Sequence, residues 1–248
     1  MRWGPPTTHP PHLTRPNMTS GAVVVIPARG GSTRIPGKNI KAFNGKPMIA
    51  WPILAAREST NVHSVVVSTD AEEIADLARE LGASVPFVRP VHLADDHAGT
   101  APVILHALDA LELTDDVLVV CLYPTAAVTS TLIDSIIRRA LAHPEDFVVT
   151  VGRHRSPFER SLLKQADGKM ALEDDGALLS RTQDLPERFF DAGKAYAASV
   201  KVWRGRETMM SQPFVSLLLP DWASVDIDEP DDWAVAEALH RSFVLEGR

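Results

Sequence analysis

Four short apolar runs, each separated from the next by a segment with helical character, constrain the fold of this chain more than any other feature. They cover residues 23–26, 64–68, 117–122 and 147–151. Continuous runs rich in valine and isoleucine are typical of strands that are buried on both faces. Strands that alternate with helices pair mostly in parallel, with helices on both faces of the sheet. The sequence therefore predicts an α/β fold with a doubly wound, mostly parallel sheet.

The segments between and after these runs carry helix signals of their own. The predicted helices cover residues 48–58, 70–81, 100–111 and 131–143. Asp70 and Glu73 have the three-residue spacing of a capping box, which predicts that Asp70 caps the second helix. Gly82 follows that helix, at a position where glycine commonly ends a helix.

The regular alternation weakens over residues 152–203, which we expect to be an insertion that forms hairpins or a subunit contact. Two further strands and a final helix are predicted at residues 215–219, 224–227 and 230–243. The first 20 residues hold five of the 19 prolines and show no apolar period, so they are expected to form a flexible extension. The remaining residues, 21–248, are predicted to form one domain.

Composition excludes several classes of protein. A single cysteine excludes a disulfide scaffold and fits a reducing, cytoplasmic environment. No apolar run approaches the ~20 residues that would span a bilayer, so we expect no membrane association. The net charge is −7, yet residues 1–57 contain eight cations and no Asp or Glu. The acidic remainder argues against nucleic-acid binding, while the local basic segment favours one compact anionic ligand.

The loop at residues 27–39 follows the first predicted strand, at the sheet edge where open α/β folds bind ligands. Gly30 and Gly31 let backbone N–H groups face an anion, and cations at Arg29, Arg34 and Lys38 can supply charge to phosphates. The glycine spacing matches neither a P-loop nor a dinucleotide fingerprint. The alternative is a surface turn in which the basic residues are incidental.

Asp226 and Asp228 flank Ile227 in a predicted strand, where residues two apart point to the same face. Their carboxylates can then converge on one hard cation, and Mg²⁺ accepts a few carboxylates together with water and substrate phosphate. The alternative is that Asp228 only caps the final helix.

The run IPARGGSTRIPGKNI at residues 26–40, followed by GKPMIAW at residues 45–51, resembles the cytidylyltransferases that activate nine-carbon ulosonic acids as CMP-sugars. The segments VVVSTD, LYPTAA and VDIDEPDDW follow in the same order as in that family, and the resemblance covers about residues 22–240. It implies a nucleotidyltransferase (Rossmann-like) fold, the substrate CTP, a Mg²⁺ ion and a homodimer.

The resemblance also implies roles for individual residues. Loop positions that match those holding the triphosphate and cytosine are Arg29, Ser32, Lys38 and Asn39, with Gly30, Gly31 and Arg34 beside them. Thr100 matches a position near the base. The sugar side is matched by Tyr123, Arg181, Gln183 and Tyr196, and the Mg²⁺ position by Asp226 and Asp228. Thr33 departs from the family pattern, which has lysine there.

The expected reaction is transfer of CMP from CTP to the anomeric hydroxyl of a nonulosonic acid, with release of pyrophosphate. In it, Arg29 and Lys38 stabilise the triphosphate. Tyr123 and the Asp-Ala-Gly sequence at residues 191–193 are more similar to the pseudaminic acid enzymes than to those for sialic acid. Sialic or legionaminic acid is the alternative substrate. Because of Thr33, a nucleotide-sugar-binding protein with impaired catalysis is the alternative function.

Overall fold

The computed structural model describes residues 21–95, 98–173, 176 and 179–247. The predicted extension over residues 1–20 lies outside this range. The strands are β1 (Ala22–Pro27), β2 (Ala42–Phe43), β3 (Lys46–Pro47), β4 (Val62–Ser68), β5 (Leu118–Leu122), β6 (Phe147–Arg153), β7 (Leu162–Lys164), β8 (Met170–Leu172), β9 (Phe189–Ser199) and β10 (Phe214–Leu218). The α-helices are α1 (Ala50–Glu58), α2 (Glu72–Glu80), α3 (Thr100–Ala110), α4 (Ser130–Ala142), α5 (Val200–Gly205) and α6 (Pro230–His240).

Six strands form the central sheet in the order β10-β6-β9-β5-β1-β4. The pairs β1–β4, β1–β5 and β10–β6 are parallel, whereas β9 runs antiparallel to both of its neighbours. The four apolar runs correspond to β1, β4, β5 and β6. The predicted mostly parallel sheet is therefore confirmed.

Helices cover both faces of this sheet, because successive strand residues point to opposite sides. Side chains from α1, α2 and α4 join one apolar core, together with Val24 and Ile26 of β1. Side chains from α3 and α5 join the other core, together with Val23 and Val25. The fold is doubly wound, as predicted.

The prediction that all of residues 152–203 form an insertion is wrong for its last part. Strand β9 lies between β5 and β6 in the centre of the sheet, and α5 follows it directly. Only the earlier part is irregular, with short 3-10 turns and the β7–β8 hairpin. The strand sequence FFDAGKAYAAS is rich in alanine and lacks valine and isoleucine, so it gives no β-branched signal.

The predicted strand at residues 224–227 is also absent. A 3-10 turn at Asp221–Ala223 leads into an irregular segment at residues 225–228. Local partners take the backbone N–H groups that a strand would offer to a neighbour. Asp226 accepts a hydrogen bond from the Ile227 N–H, and Asp232 accepts one from the Asp228 N–H. The two carboxylates at residues 226 and 228 are therefore placed by an irregular segment rather than by strand alternation.

The predicted cap of α2 by Asp70 is wrong, and the alternative in which Asp228 caps the final helix is not observed. The N-cap of α2 is Ala71, and the Asp70 carboxylate instead accepts a hydrogen bond from the Gly30 N–H at 3.0 Å. The N-cap of α6 is Glu229, so Asp228 does not cap that helix. Asp232 accepts hydrogen bonds from the N–H groups of Asp228 and Glu229. Both aspartates are therefore available for roles other than capping.

Within the part of the chain that the structure describes, no helix combines the length and the apolar character needed to span a bilayer.

Candidate active site

A cavity of about 400 Å³ opens at the edge of the sheet where β1 and β5 end. Strand β9 is antiparallel to β5, and its middle residues lie beside the carboxyl end of β5: Leu122 pairs with Ala195, and the Tyr123 N–H donates to the Lys194 carbonyl at 2.9 Å. This edge is where open α/β sheets bind ligands. The polar residues that line the cavity include Arg29, Ser32, Thr33, Arg34, Lys38, Asn39, Arg89, Asp95, Thr100, Tyr123, Thr125, Lys194, Asp226 and Asp228.

The loop after β1 forms one wall of this cavity. Arg29 donates from Nη1 to the Asp95 carbonyl at 2.6 Å, and the buried Asn39 donates from Nδ2 to the Arg29 carbonyl at 2.8 Å. These bonds hold the loop against its neighbours. Gly30 and Gly31 do not line the cavity as the structure describes it, and the Gly30 N–H is engaged by Asp70. The loop therefore presents side chains rather than glycine amides to the cavity.

The opposite wall carries the two carboxylates. Asp228 pairs with Arg34, with 2.8 Å between Oδ2 and Nη1. Lys38 donates to the Ile227 carbonyl at 2.5 Å. Burial lowers the pKa of Lys38, while Asp226 and Asp228 act in the opposite direction. The cationic loop and the carboxylate segment are therefore in direct contact at the cavity.

Two hydroxyl groups meet at a third side of the cavity. The hydroxyls of Thr100, at the start of α3, and Tyr123, just after β5, share a hydrogen bond. Burial raises the pKa of the Tyr123 hydroxyl well above its usual range. Tyr196 lies behind Tyr123, with 5.9 Å between the ring centroids, and donates its hydroxyl hydrogen to Asp191 at 2.6 Å. Tyr196 therefore packs against Tyr123 from behind and does not itself line the cavity.

Arg181 and Gln183 are not brought to the cavity. They lie at a 3-10 turn, Thr182–Asp184, in the irregular part of the chain between β8 and β9. Arg181 donates from Nε and Nη2 to the Asp184 carboxylate at 2.7 and 3.1 Å, and its side chain is exposed. Within one copy of the chain, neither residue is part of the described cavity lining, and their contact with the sugar stays a prediction.

Sequence reasoning missed several lining residues, among them Arg89, Thr125 and Lys194. Arg89 is buried and donates to Ser68 at the end of β4, and burial lowers its pKa to about 10. Thr125 is buried, and its hydroxyl has no hydrogen-bond partner among the described residues. Lys194 is buried in β9. Of the three, only Thr125 lies shortly after a predicted strand, so the sequence offered no comparable signal for Arg89 and Lys194.

The carboxylates of Asp226 and Asp228 fit a Mg²⁺ ion by the chemistry of their oxygen donors. Both line the same cavity and are partly exposed, with side-chain exposures of 67% and 42%. Among the described residues, no group of three or more His, Cys, Asp or Glu side chains forms a complete metal cage. Two carboxylates suit an ion that keeps water and substrate phosphate among its ligands.

The charge of the lining suits a strongly anionic ligand that carries a divalent cation. The described lining contains five cations against three carboxylates. The cations are Arg29, Arg34, Lys38, Arg89 and Lys194, and the carboxylates are Asp95, Asp226 and Asp228. The excess of two positive charges lies in a partly buried site, where water screens it less than at an open surface.

The chain is similar in sequence to known cytidylyltransferases. The family model described as Cytidylyltransferase matches residues 23–227. The chain is 32% identical over 220 residues to pseudaminic acid cytidylyltransferase of Campylobacter jejuni. The alignment covers 88% of this chain and 95% of that protein. The chain is also 32% identical, with the same coverages, to CMP-N,N'-diacetyllegionaminic acid synthase of Legionella pneumophila.

Solved structures support the fold. The structure of CMP:2-keto-3-deoxy-manno-octonic acid synthetase complexed with CTP matches with a TM-score of 0.65 at 18% identity, covering 91% of this chain and all of that one. A 4-diphosphocytidyl-2C-methyl-D-erythritol synthase from Anaerococcus prevotii matches with a TM-score of 0.58 at 11% identity, with coverages of 89% and 96%. The sequence matches, together with this fold, show that the chain belongs to the cytidylyltransferase family.

Proposed function

We propose that this protein transfers CMP from CTP to the anomeric hydroxyl of a nonulosonic acid, giving a CMP-sugar and pyrophosphate. The observation that carries the proposal is the cavity in which the cationic loop after β1 faces Asp226 and Asp228. Two relatives named for CMP transfer to pseudaminic and legionaminic acids match over 88% of the chain and support the same reaction.

The chain's own residues act mainly by binding and orienting the triphosphate. Arg29 and Lys38 stabilise its negative charge, and Ser32, Arg34 and Asn39 fix its position in the cavity. The sugar hydroxyl oxygen attacks the α-phosphorus and its proton passes to solvent. The bond between the α-phosphorus and the oxygen that bridges it to the β-phosphate breaks, and pyrophosphate leaves. Reactions of this kind depend on alignment and on fixed charges close to the phosphates. A Mg²⁺ ion held by Asp226 and Asp228 would act as a Lewis acid that neutralises negative charge on the phosphate oxygens.

The proposed sugar is pseudaminic acid. Tyr123 lies in the cavity, and Asp191 orients the neighbouring Tyr196 through a hydrogen bond. Turnover of pseudaminic, legionaminic and sialic acids with CTP would identify the substrate. We expect the highest kcat/KM with pseudaminic acid, and a clear preference for either of the others would overturn this choice of sugar.

Pyrophosphate release tests the reaction itself. With CTP, Mg²⁺ and a mixture of the three acids, we expect continuous release from the wild-type protein. Tight CTP binding without release would instead support a nucleotide-sugar-binding protein. The observation in favour of that second function is Thr33, an uncharged side chain in the cavity lining. Thr33→Lys would then be expected to tighten CTP binding and to restore turnover.

We also propose that the protein is a homodimer in the cytoplasm. The segment between β6 and β9 exposes several large apolar side chains, including Leu162, Met170 and Leu179, the last 95% exposed. Contact with a second copy would cover them. The buried free Cys121 fits a reducing compartment. Light scattering should give twice the mass of the chain, and a monomeric mass at micromolar concentration would contradict the dimer.

A further inference from the structure

Lys194 is a nearly fully buried lysine, with 1% of its surface exposed, in the middle of β9. Lysine is rarely buried to this extent unless its ammonium group is paired, because removing a charge from water is costly. Its surroundings indicate what the buried charge is for.

The Lys194 ammonium group contacts the segment that carries the two carboxylates. Its Nζ donates to the Val225 carbonyl at 2.6 Å and lies 3.8 Å from Oδ1 of Asp226. Lys38 makes the matching contact from the loop after β1, where its Nζ donates to the Ile227 carbonyl at 2.5 Å. The two lysines therefore bind the carbonyls on either side of Asp226.

This arrangement compensates for the lack of strand pairing in residues 225–228. A strand at the sheet edge would receive its position from a ladder of backbone hydrogen bonds. Here the segment is irregular, and its carbonyls at residues 225 and 227 are instead held by lysines from two different elements. The positions of Asp226 and Asp228 depend on these contacts, because side chains follow the backbone that carries them.

We infer that Lys194 is a positioning residue, which acts with Lys38 to hold Asp226 where it can bind a divalent cation together with the nucleotide. The inference rests on the proposed function, because that function assigns the cation to the two aspartates. Lys194 acts through the Val225 carbonyl and the Asp226 carboxylate and is not assigned any contact with substrate. Groups that orient metal ligands in this way typically affect metal affinity by about 10–100-fold.

Two other roles for Lys194 lead to different results. If its charge only offset the neighbouring aspartates, its removal would make the site more negative and would strengthen cation binding. If it were only a structural element of β9, its removal would lower the melting temperature and leave cation affinity unchanged. A positioning role predicts weaker cation binding. The direction of the change in affinity therefore separates the three roles.

The test uses Mn²⁺ as the probe ion, with free Mn²⁺ measured by electron paramagnetic resonance in the presence and absence of CTP. Lys194→Met removes both the charge and the donor, whereas Lys194→Gln keeps an N–H group that can donate to the Val225 carbonyl. We expect Lys194→Met to weaken Mn²⁺ binding by about tenfold or more. We expect Lys194→Gln to weaken it less. Lys201→Met removes an exposed lysine that pairs with Glu145 and should leave Mn²⁺ binding unchanged.

A double-mutant cycle with Asp226→Asn adds a readout that a purely structural role would not affect. If Lys194 acts through Asp226, the losses of Mn²⁺ affinity in the two single variants should not add in the double variant. Additive losses, unchanged affinity or tighter binding in Lys194→Met would each overturn the inference. If Lys194→Met does not fold, the same comparison is made with Lys194→Gln.

The outcome is separable from that of the proposed function. A wild-type protein that releases pyrophosphate while its Lys194 variants bind Mn²⁺ normally would refute only the positioning role. A wild-type protein that binds Mn²⁺ in a Lys194-dependent manner but releases no pyrophosphate would refute only the reaction. A wild-type protein that binds no Mn²⁺ with or without CTP would refute the positioning role.

Discussion

The Asp70 carboxylate accepts a hydrogen bond from the backbone N–H of Gly30 at 3.0 Å, across forty residues of sequence. The bond joins the end of β4 to the loop after β1. The two segments are so close that a Cβ atom on Gly30 would lie 2.9 Å from the Cβ of Ala71. Glycine is therefore favoured at residue 30 by the close approach of the Ala71 side chain. Gly31 has no neighbouring atom within 4 Å of such a Cβ position.

This difference predicts opposite outcomes for two adjacent substitutions. Gly30→Ala should displace the loop and weaken CTP binding by about tenfold, since a hydrogen bond to a charged group is worth about 1.5 kcal/mol. Gly31→Ala keeps the backbone N–H and meets no neighbour, so it should bind CTP nearly as the wild type does. Calorimetric titration with CTP measures both. Equal losses in the two variants would show that the Gly30 contact does not order the loop.

The charges on both walls of the cavity should be needed for turnover. Lys38→Ala and Asp228→Asn should each reduce the rate of pyrophosphate release by about 10²–10³-fold, as is typical for the loss of one preorganised charge contact. Asp228→Asn should keep the fold, because Glu229 and Asp232 cap α6 without it. Near wild-type rates in either variant would exclude the corresponding role.

Lys41→Ala is the matched control for Lys38→Ala. Lys41 lies three residues further along the chain, outside the cavity lining, with its ammonium group 4.5 Å from the centre of the Trp233 ring. Loss of such a cation–π contact costs about 1 kcal/mol or less at an exposed site. The rate of pyrophosphate release should therefore stay close to that of the wild type.

Much of the sheet could be predicted because buried parallel strands are dense in valine and isoleucine. The runs at β1, β4, β5 and β6 carry that signal and were placed correctly. Strand β9 was missed because most of its buried positions are alanine, which is depleted in strands and gives no β-branched signal. The missed strand contains Lys194, so the error in the fold also hid a residue of the site.

The site was predicted best where its residues lie close together in sequence. The loop residues Arg29, Ser32, Lys38 and Asn39 line the cavity with Thr100 and Tyr123. Asp226 and Asp228 also line it, although the strand alternation used to place them does not exist. Arg181 lies elsewhere, because the path of an irregular segment is decided by tertiary contacts that spacing does not encode. The roles of all these residues remain predictions.

The hydrogen bond between Thr100 and Tyr123 should connect the nucleotide and sugar sides of the cavity. Tyr123→Phe and Thr100→Val each remove this bond, so each should raise KM for both CTP and the sugar by about fivefold, which corresponds to ~1 kcal/mol. The double variant should lose little more than either single variant, because both remove the same interaction. Fully additive effects would show that the two hydroxyls act independently.

The stability of the protein should depend on pH through His240, which lies at the end of α6, away from the cavity. The ring is 2% exposed and packs against Trp51, with 4.3 Å between the ring centroids. The Asn44 side chain contacts its Nδ1 at 3.1 Å. Burial lowers the pKa of His240 to about 4, against about 6.5 for an exposed histidine. The folded state therefore favours the neutral ring.

Between pH 6.5 and 4 the unfolded chain binds a proton at His240 that the folded protein does not, so this contribution to stability is complete above pH 6.5 and is lost as the pH falls toward 4. His240→Leu removes the titration while filling the site with an apolar side chain. We expect the melting temperature of the wild type to fall by several degrees more than that of His240→Leu over this interval. An equal fall in melting temperature in the two proteins over this interval would contradict the prediction for His240. As a control, CTP affinity at pH 7.5 should be the same in both proteins, because His240 does not line the cavity.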